Sequence, residues 1–168
     1  MIHVVLYQPE IPQNTGNIMR TCVATDTHLH LIKPLGFSID DAHLKRSGVN
    51  YIDKLKYTVY ENFDEFREKN KGIYYYFTRY GHKPHTSFDY SNKEEDIYLI
   101  FGKESTGIPL EILKNNLDTC VRIPMSENVR CLNVSNSVAI AVYEVLRQQN
   151  FNNLSFKEIQ KGEDYLLK

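Results

Sequence analysis

RIPMSENVRCLNVSNSVAIAVYEVLR, residues 122–147, passes from a short extended stretch through a polar loop into a helix. The helix is read from Val134, Val138, Ala141, Val142, Val145 and Leu146, which recur at spacings of three and four and line one face. Asn133 stands where an N-cap belongs, ready to accept from the first free amides. Asn133, Ser135, Asn136 and Ser137 together are more short polar side chains than one cap needs. An exposed surface would accommodate the surplus, and so would a binding site. A strand that hands polar residues to the start of a helix is the repeating unit of an α/β domain.

Two further stretches have the same form. LIFGKESTGIP, residues 99–109, ends a buried strand in Gly102-Lys103-Glu104-Ser105-Thr106-Gly107. Its two glycines suggest a phosphate loop, but Ile108-Pro109 stands where that loop requires Lys followed by Ser or Thr, so a nucleoside-triphosphatase is disfavoured. The GxGxxG fingerprint of a dinucleotide fold is missing too. What remains is a loop at the carboxyl end of a strand, where open α/β sheets bind ligands. Glu104 either bonds a ligand there or caps local amides. PEIPQNTGNIMRTC, residues 9–22, leads a first strand into a helix carrying Arg20. Asn14 or Asn17 is the expected cap, Gly16 lets the backbone turn or approach a ligand closely, and the helix start is a place for a phosphate within reach of Arg20. An ordinary capped helix with a surface arginine is the plainer account of those residues.

Strands are expected at 3–7, 29–33, 56–60, 73–78, 97–101 and 119–123, and helices at 17–26, 40–47, 63–70, 109–116 and 134–149. Helical crossovers imply a mainly parallel sheet with helices on both faces. Residues 80–96 are polar and turn-rich, a loop on the surface or over a site. No linker divides the chain, so residues 1–168 read as a single domain with a short tail at 150–168, either an amphipathic helix or partly ordered. Tyr74-Tyr75-Tyr76 fits sheet packing better than a base-stacking platform.

Composition narrows the class. A hydrophobic fraction of 42% with 24% charged residues fits a globular protein. Apolar runs such as IYLIF are far too short to span a bilayer, and the start MIHVVLY lacks the basic lead of a signal peptide. Cys22, Cys120 and Cys131 form no CxxC pair, and none of the six histidines makes a metal-ligand spacing with a cysteine. Reduced thiols, a cytoplasmic location, no membrane and no metal are the expectations. The net charge of −1 counts mildly against nucleic-acid binding, although the distribution of charge matters more than its sum. No GxSxG elbow supports a serine hydrolase, and Cys131 has no histidine near it in sequence.

The ordered set N-T-G-N-I-x-R, F-G-x-E-x-x-G-[IL]-P and R-I-P-M followed by N-[LV]-S-N-[AS]-V resembles the SPOUT-superfamily RNA 2'-O-methyltransferases, within them the short TrmL type. The resemblance runs from residue 3 to about 148. It implies an α/β sheet with a C-terminal trefoil knot, which general topology rules would not have suggested. It implies S-adenosylmethionine as methyl donor, held by Phe77 or Thr78, Gly102, Ile123, Cys131 and Leu132, with Arg20, Asn14, Glu104 and Asn133 as catalytic residues. It implies a homodimer in which the cofactor of one subunit meets Arg20 of the other, the final helix helps form the interface, and Arg20, Lys45, Arg46 and Arg130 build an RNA-binding surface. The implied reaction is methylation of the ribose 2'-hydroxyl of the wobble pyrimidine, nucleotide 34, of tRNA. The alternatives are 2'-O-methylation at another tRNA or rRNA position, or a noncatalytic RNA- or cofactor-binding dimer.

Overall fold

The computed structural model describes residues 1–40 and 49–168. The helix expected at 40–47, with Lys45 and Arg46, lies outside the described residues but for its first position. Seven strands form one sheet: β1 (Ile2–Tyr7), β2 (His28–Ile32), β3 (Tyr57–Tyr60), β4 (Ile73–Phe77), β5 (Lys83–Pro84), β6 (Ile97–Phe101) and β7 (Cys120–Arg122). Their order across the sheet is β3-β2-β1-β6-β4-β7-β5, and every pairing is parallel. The helices are α1 (Pro12–Ala24), α2 (Phe63–Lys69), α3 (Leu110–Lys114) and α4 (Val134–Gln148).

Side chains alternate across each strand, so one apolar run serves two cores. Val4, Leu6, Leu29, Leu31, Tyr75, Leu99 and Phe101 face α1 and α4, where they meet Ile18, Met19, Cys22, Val138, Val142 and Val145. Val5, Ile32, Tyr76, Tyr98 and Ile100 face the other way, against Phe63 and Phe66 of α2 and Leu113 of α3. Helices therefore cover both faces, as expected. The apolar stripe of α4 is buried in the chain's own core. Each buried valine or leucine contributes about 1.5–3 kcal/mol, so that core, not an interface, accounts for the periodicity. Ile140 and Tyr143 of α4 remain outside it, 39% and 47% exposed.

The first helix begins earlier than its sequence suggests. Pro12 occupies its first turn, where the missing N–H costs nothing and the ring presets φ. Ile11 is the N-cap and makes no side-chain cap bond. Asn14, Gly16 and Asn17 therefore lie inside the helix, with Asn14 and Gly16 buried, and the expected capping by Asn14 or Asn17 and the expected turn at Gly16 do not occur. Asn133 does cap α4, accepting from the Ser135 amide at 2.9 Å.

Residues 80–96 are pinned more firmly than their polarity implies. Lys83–Pro84 adds a strand beside β7. Tyr90 is buried, its amide donating to Gln148 and its carbonyl accepting from Gln149 at the end of α4. In the tail, Phe151 and Leu154 pack on the core, and Tyr165–Leu167 forms a single 3-10 turn. No helix of the described residues is long and apolar enough to cross a membrane.

At the amino ends of the strands, three histidines that are scattered in the sequence come together. Their ligand atoms lie within 4.8 Å of one another: His3 on β1, and His28 and His30 on β2. The rings of His28 and His30 stack at 4.4 Å and 20°. Lone pairs in two near-parallel planes do not converge on one ion. Instead the nitrogens of His3 and His30 form a hydrogen-bonded chain, and with both rings neutral one proton arrangement satisfies it. The Asp96 carboxylate only accepts, so His3 Nε2 donates to it at 3.1 Å. His3 Nδ1 must then accept from His30 Nε2 at 2.9 Å. His30 Nδ1 in turn accepts from the Tyr60 hydroxyl at 2.9 Å, and that oxygen accepts from Asn70 at 3.1 Å.

Burial first, then the neighbouring His28 and His3, lowers the pKa of His30 to about 3. Burial also lowers that of His3, against the pull of Asp96. Folded values below the ordinary 6.5 mean that the unfolded chain binds the extra protons. The contribution is complete above pH ~6.5 and is lost as pH falls toward the folded values. The melting temperature is accordingly expected to be flat from pH 8 to 7 and to fall through the 6.5-to-4 range. His30→Gln should lower stability at pH 7 yet flatten that slope; an unchanged slope in the variant would show that other groups set it.

Candidate functional site

The carboxyl ends of β4, β6 and β7 open onto a cavity of about 610 Å³. Each of the three sequence stretches reaches it by a different device. The loop after β6 is closed by Lys103 and Gly107, which bond each other's backbone at 2.9 and 3.3 Å. Gly107 sits at φ +74°, a conformation that suits glycine. The loop folds back so closely on Gly102 that a Cβ there would lie 2.1 Å from the Gly107 carbonyl carbon and 2.2 Å from Ile108 N. Backbone stands on both sides of that contact, so no side chain fits without rebuilding the loop.

Glu104 reaches from this loop to the start of α1. Its carboxylate accepts from the amides of Glu10 at 2.9 Å and Ile11 at 3.1 Å, and from Asn14 Nδ2 at 3.4 Å. The anion at that helix start is therefore the protein's own carboxylate, and the phosphate expected there has no room at those two amides. Glu10 answers in kind, accepting from Ser105 N at 3.0 Å and Ser105 Oγ at 2.6 Å, bonds that hold its carboxyl below the usual range.

The third stretch joins through asparagine. Asn133 Nδ2 donates to Asn14 Oδ1 at 3.0 Å, while Asn133 Oδ1 accepts from Ser135 N and Oγ at 2.9 and 2.5 Å. The orientation of both amides follows from Glu104. A carboxylate accepts only, so Asn14 must turn its NH2 toward it and its oxygen toward Asn133. Ser135, Asn133, Asn14 and Glu104 form one polar line through all three stretches.

Nine of the ten residues expected at the site line this cavity: Phe77, Thr78, Gly102, Ile123, Cys131 and Leu132, together with Asn14, Glu104 and Asn133. Phe77 stacks on Phe101 at 4.8 Å to make part of the wall, and the Thr78 amide bonds Val121 O at 2.9 Å. Cys131 is exposed and its thiol is free. Arg20 is the exception. It lies six residues beyond Asn14, about 240° around the helix axis, exposed and away from the cavity wall of its own chain. Arg79, Tyr80, Lys103 and Met125 line the cavity without having been singled out in the sequence. Arg79 and Tyr80 directly follow Phe77-Thr78 at a strand's carboxyl end, and that position is the signal by which the sequence could have found them. Among the described residues the cavity wall contains no histidine, so neither a Ser/His/Asp triad nor a Cys131-His pair assembles here.

The chain matches the SpoU rRNA methylase family over residues 1–143. It is 53% identical over 154 residues to a Bacillus subtilis protein that carries the provisional name tRNA (cytidine(34)-2'-O)-methyltransferase, covering 91% of this chain and 96% of that one. It is 43% identical over 153 residues to the tRNA (cytidine(34)-2'-O)-methyltransferase of Methylovorus glucosotrophus, covering 90% and 97%. A solved structure described as giving insight into 2'-OH methylation of C/U34 on tRNA superposes with a TM-score of 0.83 at 39% identity, covering 89% of this chain and 97% of that one. With a parallel sheet, a cavity at its carboxyl end and relatives matched over nearly their whole length, the chain belongs to the SpoU rRNA methylase family.

Proposed function

We propose that this protein transfers a methyl group from S-adenosylmethionine to the ribose 2'-oxygen of the wobble pyrimidine, nucleotide 34, of tRNA. The observation that carries the proposal is the convergence of three sequence motifs on one cavity in a chain 43–53% identical to proteins named for that reaction. The cavity suits the donor. Its volume, about 610 Å³, is that of a small-molecule site. The Gly102 loop brings backbone groups to its edge, and Ile108, Val121 and Leu132 provide an apolar wall for a purine. The residues that would hold the donor are Phe77, Thr78, Gly102, Ile123, Cys131 and Leu132.

Bound S-adenosylmethionine supplies an electrophilic methyl on a cationic sulfur. The chain must align a ribose hydroxyl with it and stabilise the charge that develops on oxygen. Arg20 is assigned the second task. A guanidinium offers hydrogen-bond donors and no acceptor, so it serves as an anchor for the developing alkoxide or the adjacent phosphate and not as a base. Asn14 and Asn133 orient the site, and Glu104 fixes the asparagines and the loop in one register.

Because Arg20 does not line the cavity of its own chain, the reading includes a homodimer in which it serves the partner's cavity. The exposed Ile140 and Tyr143 on α4 support such an interface. We also infer that the C-terminal segment threads a loop to make a trefoil knot. Support comes from the strand order. β7 lies between β4 and β5, so residues 78–82, which join those two strands, must cross it. Gly81 lies against that strand, where a Cβ would stand 2.7 Å from the Val121 carbonyl carbon.

Labelled methyl from S-adenosylmethionine should appear in unmodified cellular tRNA as a 2'-O-methyl pyrimidine at position 34; label at another position would retain the chemistry and discard the target. Arg20→Ala should bind the donor normally yet transfer at least ~100-fold more slowly. Co-refolding Arg20→Ala with a Gly102→Ala chain should restore part of the activity, since one of the two mixed sites is intact; no recovery from chains that both keep the wild-type melting temperature would place Arg20 and the donor in the same subunit. Glu104→Gln removes a charged acceptor from two backbone amides and should lower stability by roughly 1.5–3 kcal/mol, measured by urea unfolding.

A further inference from the structure

Beyond the motif residues, the rim of the cavity carries one aromatic ring that the fold leaves in solvent. Tyr80 lines the cavity and is 62% exposed, whereas Tyr75 and Tyr76 on the strand before it are buried in the sheet. A single exposed tyrosine is ordinary. What distinguishes Tyr80 is how firmly its backbone is held. The Tyr80 amide donates to Thr78 Oγ1 at 3.2 Å and the Gly81 amide to Thr78 O at 3.3 Å. Arg122 Nη1 donates to Arg79 O, and Gly81 is pressed against the β7 backbone. The turn is fixed at each residue, so ordering the ring against a ligand costs only the freedom of its two side-chain torsions.

The surroundings indicate the ligand. The Arg79 guanidinium lies 5.6 Å from the Tyr80 ring centroid. Arg79, Lys103 and Arg130 line the cavity together with a single acidic residue, Glu104, whose oxygens are engaged by the amides at positions 10 and 11. A chain of net charge −1 thus presents a locally basic rim with a flat π-face in it. Cation beside aromatic is the combination that receives a stacked base and its phosphate.

We propose that Tyr80, with Arg79 alongside, is a stacking platform for an unpaired nucleobase adjacent to the nucleotide that is methylated. The platform rests on the RNA methyltransferase reading above. It gives the site a grip on single-stranded loop RNA that is independent of the donor, and it makes Tyr80 a determinant of substrate affinity that touches neither the sulfonium nor the reacting oxygen.

The test uses the full-length protein and an anticodon stem-loop RNA with 2-aminopurine at nucleotide 35. Wild type and Tyr80→Phe should quench the fluorescent base on binding, with dissociation constants within about twofold of each other. Tyr80→Ala should lose the quench and bind the RNA about tenfold more weakly, with unchanged melting temperature and unchanged S-adenosylmethionine affinity by calorimetry. Equal RNA binding by wild type and Tyr80→Ala, or no quench with wild type, would overturn the platform while methyl transfer by wild type kept the enzymatic reading intact. Weakened donor binding in Tyr80→Ala would also overturn it, by assigning the ring to the cofactor. Wild type that neither binds RNA nor transfers methyl would remove the platform and the function together.

Discussion

The site depends on one carboxylate. Glu104 accepts two backbone amides at positions 10 and 11 and an asparagine side chain, and so ties the loop after β6 to the start of α1. Charge-assisted bonds of this kind are about twice as strong as neutral ones. From that anchor the orientation of Asn14 follows, and from Asn14 that of Asn133, and through Asn133 the first turn of α4. Residues more than a hundred positions apart in the chain hold fixed rotamers because a single group that can only accept sits at the end of the line.

Much of the fold was legible because a parallel sheet buried on both faces imprints itself as short continuous apolar runs. IYLIF at β6 is the plainest case, buried at every position. The apolar stripe of α4 was equally readable, and it is buried in the chain's own core. The start of α1 was misplaced for a specific reason. Pro12, Asn14 and Gly16 resemble a turn when helix capping is assumed to be local, but the acceptor for the helix start comes from Glu104, some ninety residues away. Local propensity has no access to such a partner. Likewise the three histidines became neighbours only through strand pairing, since β1 and β2 bring His3 opposite His28.

The motif residues were found through the resemblance and not through any single pattern. Each motif by itself also fits an ordinary cap or turn, and their meaning comes from meeting at one cavity. The rim was harder to read. Arg79 and Tyr80 belong to no motif, and exposure, which gives Tyr80 its interest, is a property of the folded chain. The net charge pointed mildly away from RNA because it averages over a surface on which the basic groups of the cavity mouth are a small minority.

The order of the strands has a consequence for synthesis. β6 lies between β1 and β4, yet it is sixth in the chain. Until residue 101 has left the ribosome, those two strands share no neighbour, and each presents an apolar edge with unpaired backbone groups. At about 5–20 residues per second, the interval from the first strand to the sixth is roughly 5–20 s. During that time β1 and β2 are able to pair while the middle of the sheet is missing. A nascent chain of this topology is sticky for most of its translation, and it gains its central strand in one late step.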